Sequence, residues 1–274
     1  MEAYQDFAEV YDELMDNTPY EAWCERLDAL IKQYGVSRPE RDVEGLLDSE
    51  RNLVVDLGCG TGTLTELMYG RGYDMIGVDV SEAMLNIAMK KKEKSGDEIL
   101  YLQQDMRGLE LYSTVGTVYS VCDSLNYLLE ETELLAVFSL VNNYLFPGGI
   151  FIFDFNTDYK YREVIGNATI AESREDCSFI WENFYDPEEE INEYDLTVFV
   201  REQGEHFRRF TEMHFQRGYT PEQIRRLVEQ SGMKVLEMKD ADTGEAVTAE
   251  SERVYVVARE QGKECAQITE RHGC

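Results

Sequence analysis

Hydrophobic positions along the chain fall into two rhythms, and the change between them organises it. Near the start, Tyr4, Phe7, Val10, Tyr11 and Leu14 fall at steps of three and four and predict a short amphipathic helix. Trp23, Leu27, Leu30 and Ile31 predict a second, opened at Thr18-Pro19-Tyr20-Glu21. There Thr18 is the expected cap, Pro19 the first helical residue, and Glu21 the far end of a capping box. From about residue 52, short apolar runs at 53–57, 75–79, 99–102, 115–121 and 150–154 alternate with helical segments. Ser81 is placed to cap a helix through Met84, Ile87 and Ala88, and another helix is expected over 131–144. Pro147-Gly148-Gly149 turns the chain into the fifth run. Strand and helix in this alternation predict a parallel sheet covered on both faces.

Between about 165 and 217 the rhythm changes. Aromatic- and threonine-rich runs at 179–181, 196–200 and 207–215, separated by charged clusters, predict an antiparallel β insertion. Thr220-Pro221-Glu222-Gln223 restarts a helix with a capping box and Gly232 ends it. Strands at 235–238 and 254–258 then close the sheet, and residues from 260 on read as a polar, frayed tail. No repeat or low-complexity linker interrupts this order. One domain is expected over 1–274, with 1–48 as an N-terminal helical lid and 160–217 as a β-rich insertion.

Charge narrows the partners. Lys plus Arg number 26 against 55 Asp plus Glu, a net charge of −29. Nucleic-acid binders gather cations to neutralise phosphates. The single basic run, Lys90-Lys91-Lys92, reads as a solvated helix face. Nucleic acid and anionic membrane are therefore excluded as expected partners, and a small, neutral to cationic acceptor is favoured. The six cysteines (24, 59, 122, 177, 265, 274) form no CxxC pair. With no apolar leader after Met1 and no run near the ~20 apolar residues of a membrane span, free thiols in the cytoplasm are the economical reading. A disulfide between Cys265 and Cys274 in the tail stays open.

The sharpest local signal is Asp56-Leu57-Gly58-Cys59-Gly60-Thr61-Gly62, between a strand and a helix. Glycines there let the backbone take positive φ and approach a ligand. A dinucleotide fingerprint wants glycine at 63, where the chain has Thr63. Asp56 before the first glycine also repels a pyrophosphate and suits an ammonium group. Asp79 ends the second strand, 79 − 56 = 23 residues further on, where a carboxylate can accept both ribose hydroxyls. Asp105 follows the third strand and is placed to take a hydrogen bond from an adenine amino group. An acidic residue after each of three strands, together with the glycines, predicts a nucleoside site at the strand C-termini.

With these residues the chain resembles the class I S-adenosylmethionine-dependent methyltransferases, over about 53–258. Asp56 to Gly62 is similar to that family's first motif, Gly77-Val78-Asp79-Val80-Ser81 to its second, and Gln104-Asp105-Met106 to its third. Phe146-Pro147-Gly148-Gly149 resembles the turn before its fifth strand. The resemblance implies a Rossmann-like seven-stranded α/β sheet of order 3-2-1-4-5-7-6 with the last strand antiparallel. The insertion before the sixth strand is similar to that of bacterial small-molecule methyltransferases. It implies S-adenosylmethionine as cofactor, with the glycines at its methionine part, Asp79 at its ribose and Asp105 at its adenine. Cofactor contacts are expected from Asp56, Gly58, Cys59, Gly60, Gly62, Asp79, Val80, Met84, Asp105, Met106, Cys122 and Asp123, with Tyr11 and Tyr20 as lid. No metal is expected.

Methyl transfer from a sulfonium is an in-line displacement with a neutral leaving group, so the protein supplies proximity and a dry site. A base is needed only where the acceptor must lose a proton. Cys122-Asp123-Ser124-Leu125-Asn126-Tyr127 follows the fourth strand, where Asp123, Asn126 and Tyr127 either surround the acceptor or form a helix cap and a buried tyrosine. The Asn-Pro-Pro-Tyr motif of relatives that methylate base or glutamine amides is absent. His214, Arg217 and Tyr219 return the chain from the insertion and are candidates for base, carboxylate clamp and pocket wall. His214 reads more readily as a structural strand histidine than as a base. Among the others, His206 sits in a charged turn and His272 in the tail. The N-terminal aromatics are either a lid facing the sulfonium by cation–π contact or core. Trp181, Phe184 and Tyr185 are either an acceptor wall or the insertion's own core. A non-catalytic nucleoside-binding protein and an NAD-linked oxidoreductase are the alternative functions; Asp56 and Thr63 weigh against the second.

Overall fold

The computed structural model describes residues 7–41 and 43–263. The expectations placed on Tyr4, on Cys265, His272 and Cys274, and on the tail beyond 263 lie outside the described residues. Two helices, α1 (Ala8–Leu14) and α2 (Tyr20–Tyr34), precede α3 (Leu46–Asn52) and the first strand, β1 (Leu53–Leu57). The expected capping box at Thr18 does not form: Pro19 takes the N-cap position and receives no side-chain cap. Thr18 belongs instead to the turn that closes α1. Its amide donates to Met15 O at 2.9 Å and its hydroxyl points at Met15 Sδ, 3.8 Å away.

Val54, Val55 and Leu57 of β1 are fully buried because helices cover both faces of its sheet. Then come α4 (Thr63–Gly70), β2 (Asp74–Asp79), α5 (Glu82–Ser95), β3 (Leu100–Gln103), β4 (Val115–Ser120), α6 (Glu131–Tyr144) and β5 (Leu145–Asn156). β1 pairs in parallel with β2 on one side and β4 on the other; β3 and β5 extend the sheet outward, also in parallel. The Pro147-Gly148-Gly149 turn is absorbed within β5, where the register against β4 shifts between Val115 and Thr117. A side chain at Gly149 would meet Phe146 O at 2.8 Å and Gly116 O at 2.9 Å, so only glycine passes there.

After β5 a π-helical turn (Lys160–Ile165) leads into an antiparallel sheet of β6 (Thr169–Ser173), β7 (Cys177–Asp186), β8 (Ile191–Gln203) and β9 (His206–Arg217). The chain returns through α7 (Pro221–Gln230), whose Thr220–Gln223 capping box forms, to β10 (Met233–Asp240) and β11 (Arg253–Glu260). β11 lies antiparallel between β5 and β10, completing seven strands in the order β10-β11-β5-β4-β1-β2-β3. Counted within this sheet alone, that is the expected 3-2-1-4-5-7-6.

One face packs Phe138 of α6 and Leu227 of α7 onto Phe151, Phe153 and Val118; the other packs Leu27 and Ile31 of α2 and Met68 of α4 onto Val54 and Ile152. The second sheet has its own small core, in which Val10 of α1 meets Tyr194, Leu196 and Val198 of β8. Helix α1 thereby joins the second sheet to the cleft at the C-terminal ends of β1, β2 and β4. No helix of the described residues is long and apolar enough to cross a membrane.

Candidate cofactor and acceptor site

The strand ends and α1–α2 enclose a cavity of about 640 Å³. Its floor is the glycine loop after β1. Gly58 and Cys59 donate their amides to Val78 O at 2.7 and 3.0 Å, which ties the loop to β2. Gly58 has φ +84, and a side chain there would strike Ser124 Oγ at 2.7 Å. Gly60, at φ +55, faces open space with no atom within 4 Å of an added Cβ. That is the room a ligand lying against backbone requires. Gly62 caps α4 at φ +75, and its missing side chain leaves space for Tyr101 and Ala88, so its role here is packing.

Three carboxylates surround this floor. Asp79 Oδ2 accepts the Gly60 amide and Oδ1 the Ser81 amide, both at 2.8 Å. The Val80 amide also bonds this carboxylate; of its roughly four acceptor sites, capacity for a hydroxyl donor remains. Burial raises the Asp79 pKa in spite of those amides. Asp56 is wholly enclosed; Thr65 and Tyr119 donate to its Oδ2 at 2.6 and 2.9 Å. Burial pushes Asp56 up to about 7, against the pull of these two hydroxyls. Asp105 lies at the rim, where Arg107 grips both oxygens at 3.0 Å and holds its pKa low. Arg107 reaches on to Glu133 at 2.7 Å.

Val80 is 63% exposed although apolar, and it lines the cavity with Ala83, Met84 and Met106. An open apolar surface beside a ribose-type carboxylate and an unobstructed glycine loop fits a nucleoside whose base lies flat. Tyr11, Tyr20 and Trp23 form the opposite wall, with Tyr11 Oη 4.0 Å from Cys122 Sγ. Helix α1 is pinned over the loop by Asp12. That carboxylate accepts from Thr61 at 2.6 Å and pairs with Lys91 at 2.6 Å. Lys91 therefore serves the site, where the sequence reading left the whole basic run to solvent.

After β4 the chain makes a tight turn in which Cys122 and Asp123 both take positive φ, 65° and 51°. Asp154 of β5 holds it, accepting the Cys122 amide at 3.2 Å and the Asp123 amide at 3.0 Å. Arg253 of β11 neutralises Asp154 through Nε at 2.7 Å, and its guanidinium lies 4.6 Å from the ring centre of Trp23. Cys122 lines the cavity, and burial pushes its thiol up to about 12. Asp123 turns away from the lining and accepts Gln216 Nε2 of β9 at 2.6 Å. Asn126 is buried and donates to Asn156 O and Arg217 O at 2.9 and 2.7 Å.

The structure therefore gathers Asp56, Gly58, Cys59, Gly60, Asp79, Val80, Met84, Asp105, Met106, Cys122, Tyr11 and Tyr20 around one cavity. Gly62 and Asp123 stand behind it. Arg217 and Tyr219 are not brought to the cavity. Arg217 is engaged by Leu129 O at 2.9 Å and Glu190 at 2.8 Å, and Tyr219, fully buried, donates to Leu128 O. His214 is 2% exposed and reaches the cavity only through Tyr127, whose Oη is 3.0 Å from its Nδ1. Tyr127, Tyr194, Glu212, Gln216, Asp154 and Arg253 complete the polar surroundings; of these, sequence singles out only Tyr127, as a residue around the acceptor.

The family model described as "Methyltransferase domain" matches residues 54–149, the strands and loops that build this cavity. A protein of Geobacillus sp. (strain WCH70) whose name assigns it to the methyltransferases is 36% identical over 256 residues, 93% of this chain and 99% of that one. A crystal structure of an S-adenosylmethionine-dependent methyltransferase from Clostridium acetobutylicum superposes with a TM-score of 0.81 at 27% identity, covering 95% of this chain and 100% of that one. The sugar N-methyltransferase KedS8 of Streptoalloteichus shares the fold, with a TM-score of 0.71 at 16% identity over 92% of this chain and 93% of its own. A nucleoside cleft on a 3-2-1-4-5-7-6 sheet and full-length similarity to named methyltransferases converge on one assignment. The chain belongs to the class I S-adenosylmethionine-dependent methyltransferases.

Proposed function

We propose that this enzyme moves the methyl group of S-adenosylmethionine to a nitrogen of a small, cationic amine. One observation carries the reading. The charged side chains that line the cavity among the described residues are the carboxylates Asp56, Asp79, Glu82 and Asp105 and one cation, Arg107, which is already paired. A low-dielectric cleft of that sign concentrates cations and repels carboxylates and phosphates. The similarity of fold to a sugar N-methyltransferase supports the same direction. The net charge of −29 argues against nucleic acid as the acceptor, and four free thiols among the described residues favour the cytoplasm.

Bound cofactor supplies an electrophilic methyl group on a sulfonium; the chain's own residues supply position. Asp79 would hold the ribose hydroxyls, Val80, Met106 and Asp105 the adenine, and Asp56 the ammonium of the methionine part. Tyr11 and Tyr20 on the N-terminal helices close the site against water, and the insertion backs the turn after β4 through Gln216 and His214. Release of S-adenosylhomocysteine should be seen with members of a panel of amines, with the added methyl on nitrogen by mass spectrometry. Turnover confined to carboxylates or phenols would refute the amine reading.

The Asp56 contact predicts a pH dependence. With its pKa near 7, the unliganded protein carries Asp56 largely protonated in mild acid. An ammonium partner favours the anion, so binding must expel that proton at low pH and needs no such step at high pH. Affinity for S-adenosylhomocysteine should therefore rise with pH and level off above about 7. Below that point it should fall by up to about tenfold per pH unit. Calorimetry at pH 6 in buffers of different ionisation enthalpy should detect the released proton, and Asp56→Asn should flatten this step.

A further inference from the structure

Over 212–216, strand β9 buries its polar residues and exposes its apolar ones. Glu212, His214 and Gln216 are buried at 7, 2 and 3% exposure, while Met213 and Phe215 between them stand 44 and 39% exposed. Burying a carboxylate and an imidazole is costly unless each is paired. All three are tied to the cleft rather than to the sheet's own apolar core. Glu212 Oε1 accepts the Phe7 amide just before α1 at 2.9 Å, and Gln216 holds Asp123. His214 stands between Glu212 and Tyr127: its Nε2 lies 3.4 Å from Glu212 Oε2, and its Nδ1 3.0 Å from Tyr127 Oη. Tyr194, opposite His214 in the β8–β9 register, stacks on the imidazole at 4.7 Å and places its own hydroxyl 2.8 Å from Tyr127 Oη. Of this group Tyr127 alone lines the cofactor cavity.

We infer that Tyr127 is the catalytic residue that takes the acceptor's proton, with His214 and Glu212 as positioning residues that draw the proton away from the cleft. The inference rests on the amine reading above. Carboxylate, imidazole and hydroxyl stand in the order that activates a hydroxyl elsewhere: an acid orients the ring and the ring accepts from the hydroxyl. Burial keeps Tyr194 protonated, and on this route its hydroxyl donates to the Tyr127 oxygen while the Tyr127 proton is directed at Nδ1. An ammonium entering the cleft has no lone pair until one N–H proton leaves. That proton passes to Tyr127 Oη as the Tyr127 proton crosses to Nδ1, and the imidazolium so formed faces Glu212. The freed nitrogen lone pair forms the N–C bond while the electron pair of the breaking C–S bond stays on sulfur. The products are a neutral thioether, a methylated ammonium and one proton held on His214, which leaves to solvent after release.

Two measurements test this. In wild-type protein saturated with S-adenosylhomocysteine, nitrogen NMR should find His214 protonated on Nε2 and bare on Nδ1. A proton on Nδ1 would make His214 a donor to Tyr127 and overturn the route, whatever the acceptor proves to be. With an amine from the panel, Tyr127→Phe should lower kcat by about a hundredfold or more while S-adenosylhomocysteine affinity and melting temperature stay near wild type. Glu212→Gln should lower kcat less and shift its pH profile, because an uncharged partner holds imidazolium more weakly. Wild-type kcat in a folded Tyr127→Phe variant would also overturn it. If no amine is methylated, the amine reading has failed, and the NMR result alone decides whether Tyr127 can pass a proton to His214.

Discussion

Asp79→Ala should weaken S-adenosylhomocysteine binding by roughly 2 kcal/mol or more, about thirtyfold, at the scale for losing hydrogen bonds to a charged group. Two losses combine. The carboxylate's remaining acceptor capacity, which faces the cavity, disappears. So do its bonds to the Gly60 and Ser81 amides, which hold the glycine loop and the start of α5 in their bound shape. Asp79→Asn retains one acceptor oxygen and should lose less. Titration calorimetry on protein shown to be folded by melting reads both variants. Binding of the alanine variant within about twofold of wild type would remove Asp79 from the ribose.

Much of this site is local in sequence and so was legible there. A strand, a glycine turn and a helix follow one another between Leu53 and Gly70, and the chemistry of Asp56 and Asp79 depends only on their standing at strand ends. The strand order followed from the resemblance and matches the structure. What depends on distant packing was not legible. Gly62 reads as a ligand glycine beside Gly58 and Gly60, yet its function is decided by Tyr101, which arrives from β3. Likewise, Arg217 and Tyr219 are claimed by the 128–129 backbone across from α7, a contact no spacing announces.

The insertion illustrates a subtler limit. Which residues of a strand face inward depends on register, and a slip by one exchanges the faces. His214 was selected for its chemistry; Glu212, two residues before it, shares its face in any register, but Tyr194 becomes its partner only because β8 pairs Tyr194 with His214. The run Glu212-Met213-His214-Phe215-Gln216 did carry a signal. Its polar and apolar residues alternate, and the ordinary rule would put Met213 and Phe215 inside. The structure shows the reverse because the inner face of β9 at 212–216 meets polar partners: the backbone amide of Phe7, and Asp123 and Tyr127 in the turn after β4.

Asp154→Ala should be among the most destabilising single changes in the chain, and it acts at a residue that sequence reading treated as the end of a strand. Its side chain is fully buried, with Arg253 beside it only 18% exposed. Removing one member of such a pair leaves an uncompensated buried charge, at a cost of about 3–5 kcal/mol. Here the same carboxylate also accepts the amides of two consecutive non-glycine residues at positive φ. Backbone in that region is retained only where its surroundings hold it, so the turn carrying Cys122 should relax as well. Melting temperature should fall on the order of 10 °C, taking a few degrees per kcal/mol for a chain of this size. Pairing the change with Arg253→Leu separates the two effects. The double variant removes the stranded charge and should recover part of the lost stability, but the two amides stay without their acceptor. Cofactor affinity should therefore remain low in the double variant even as its melting temperature rises. Full recovery of both would show that Asp154 serves only to neutralise Arg253, and that the turn beside the methyl donor holds its shape without it.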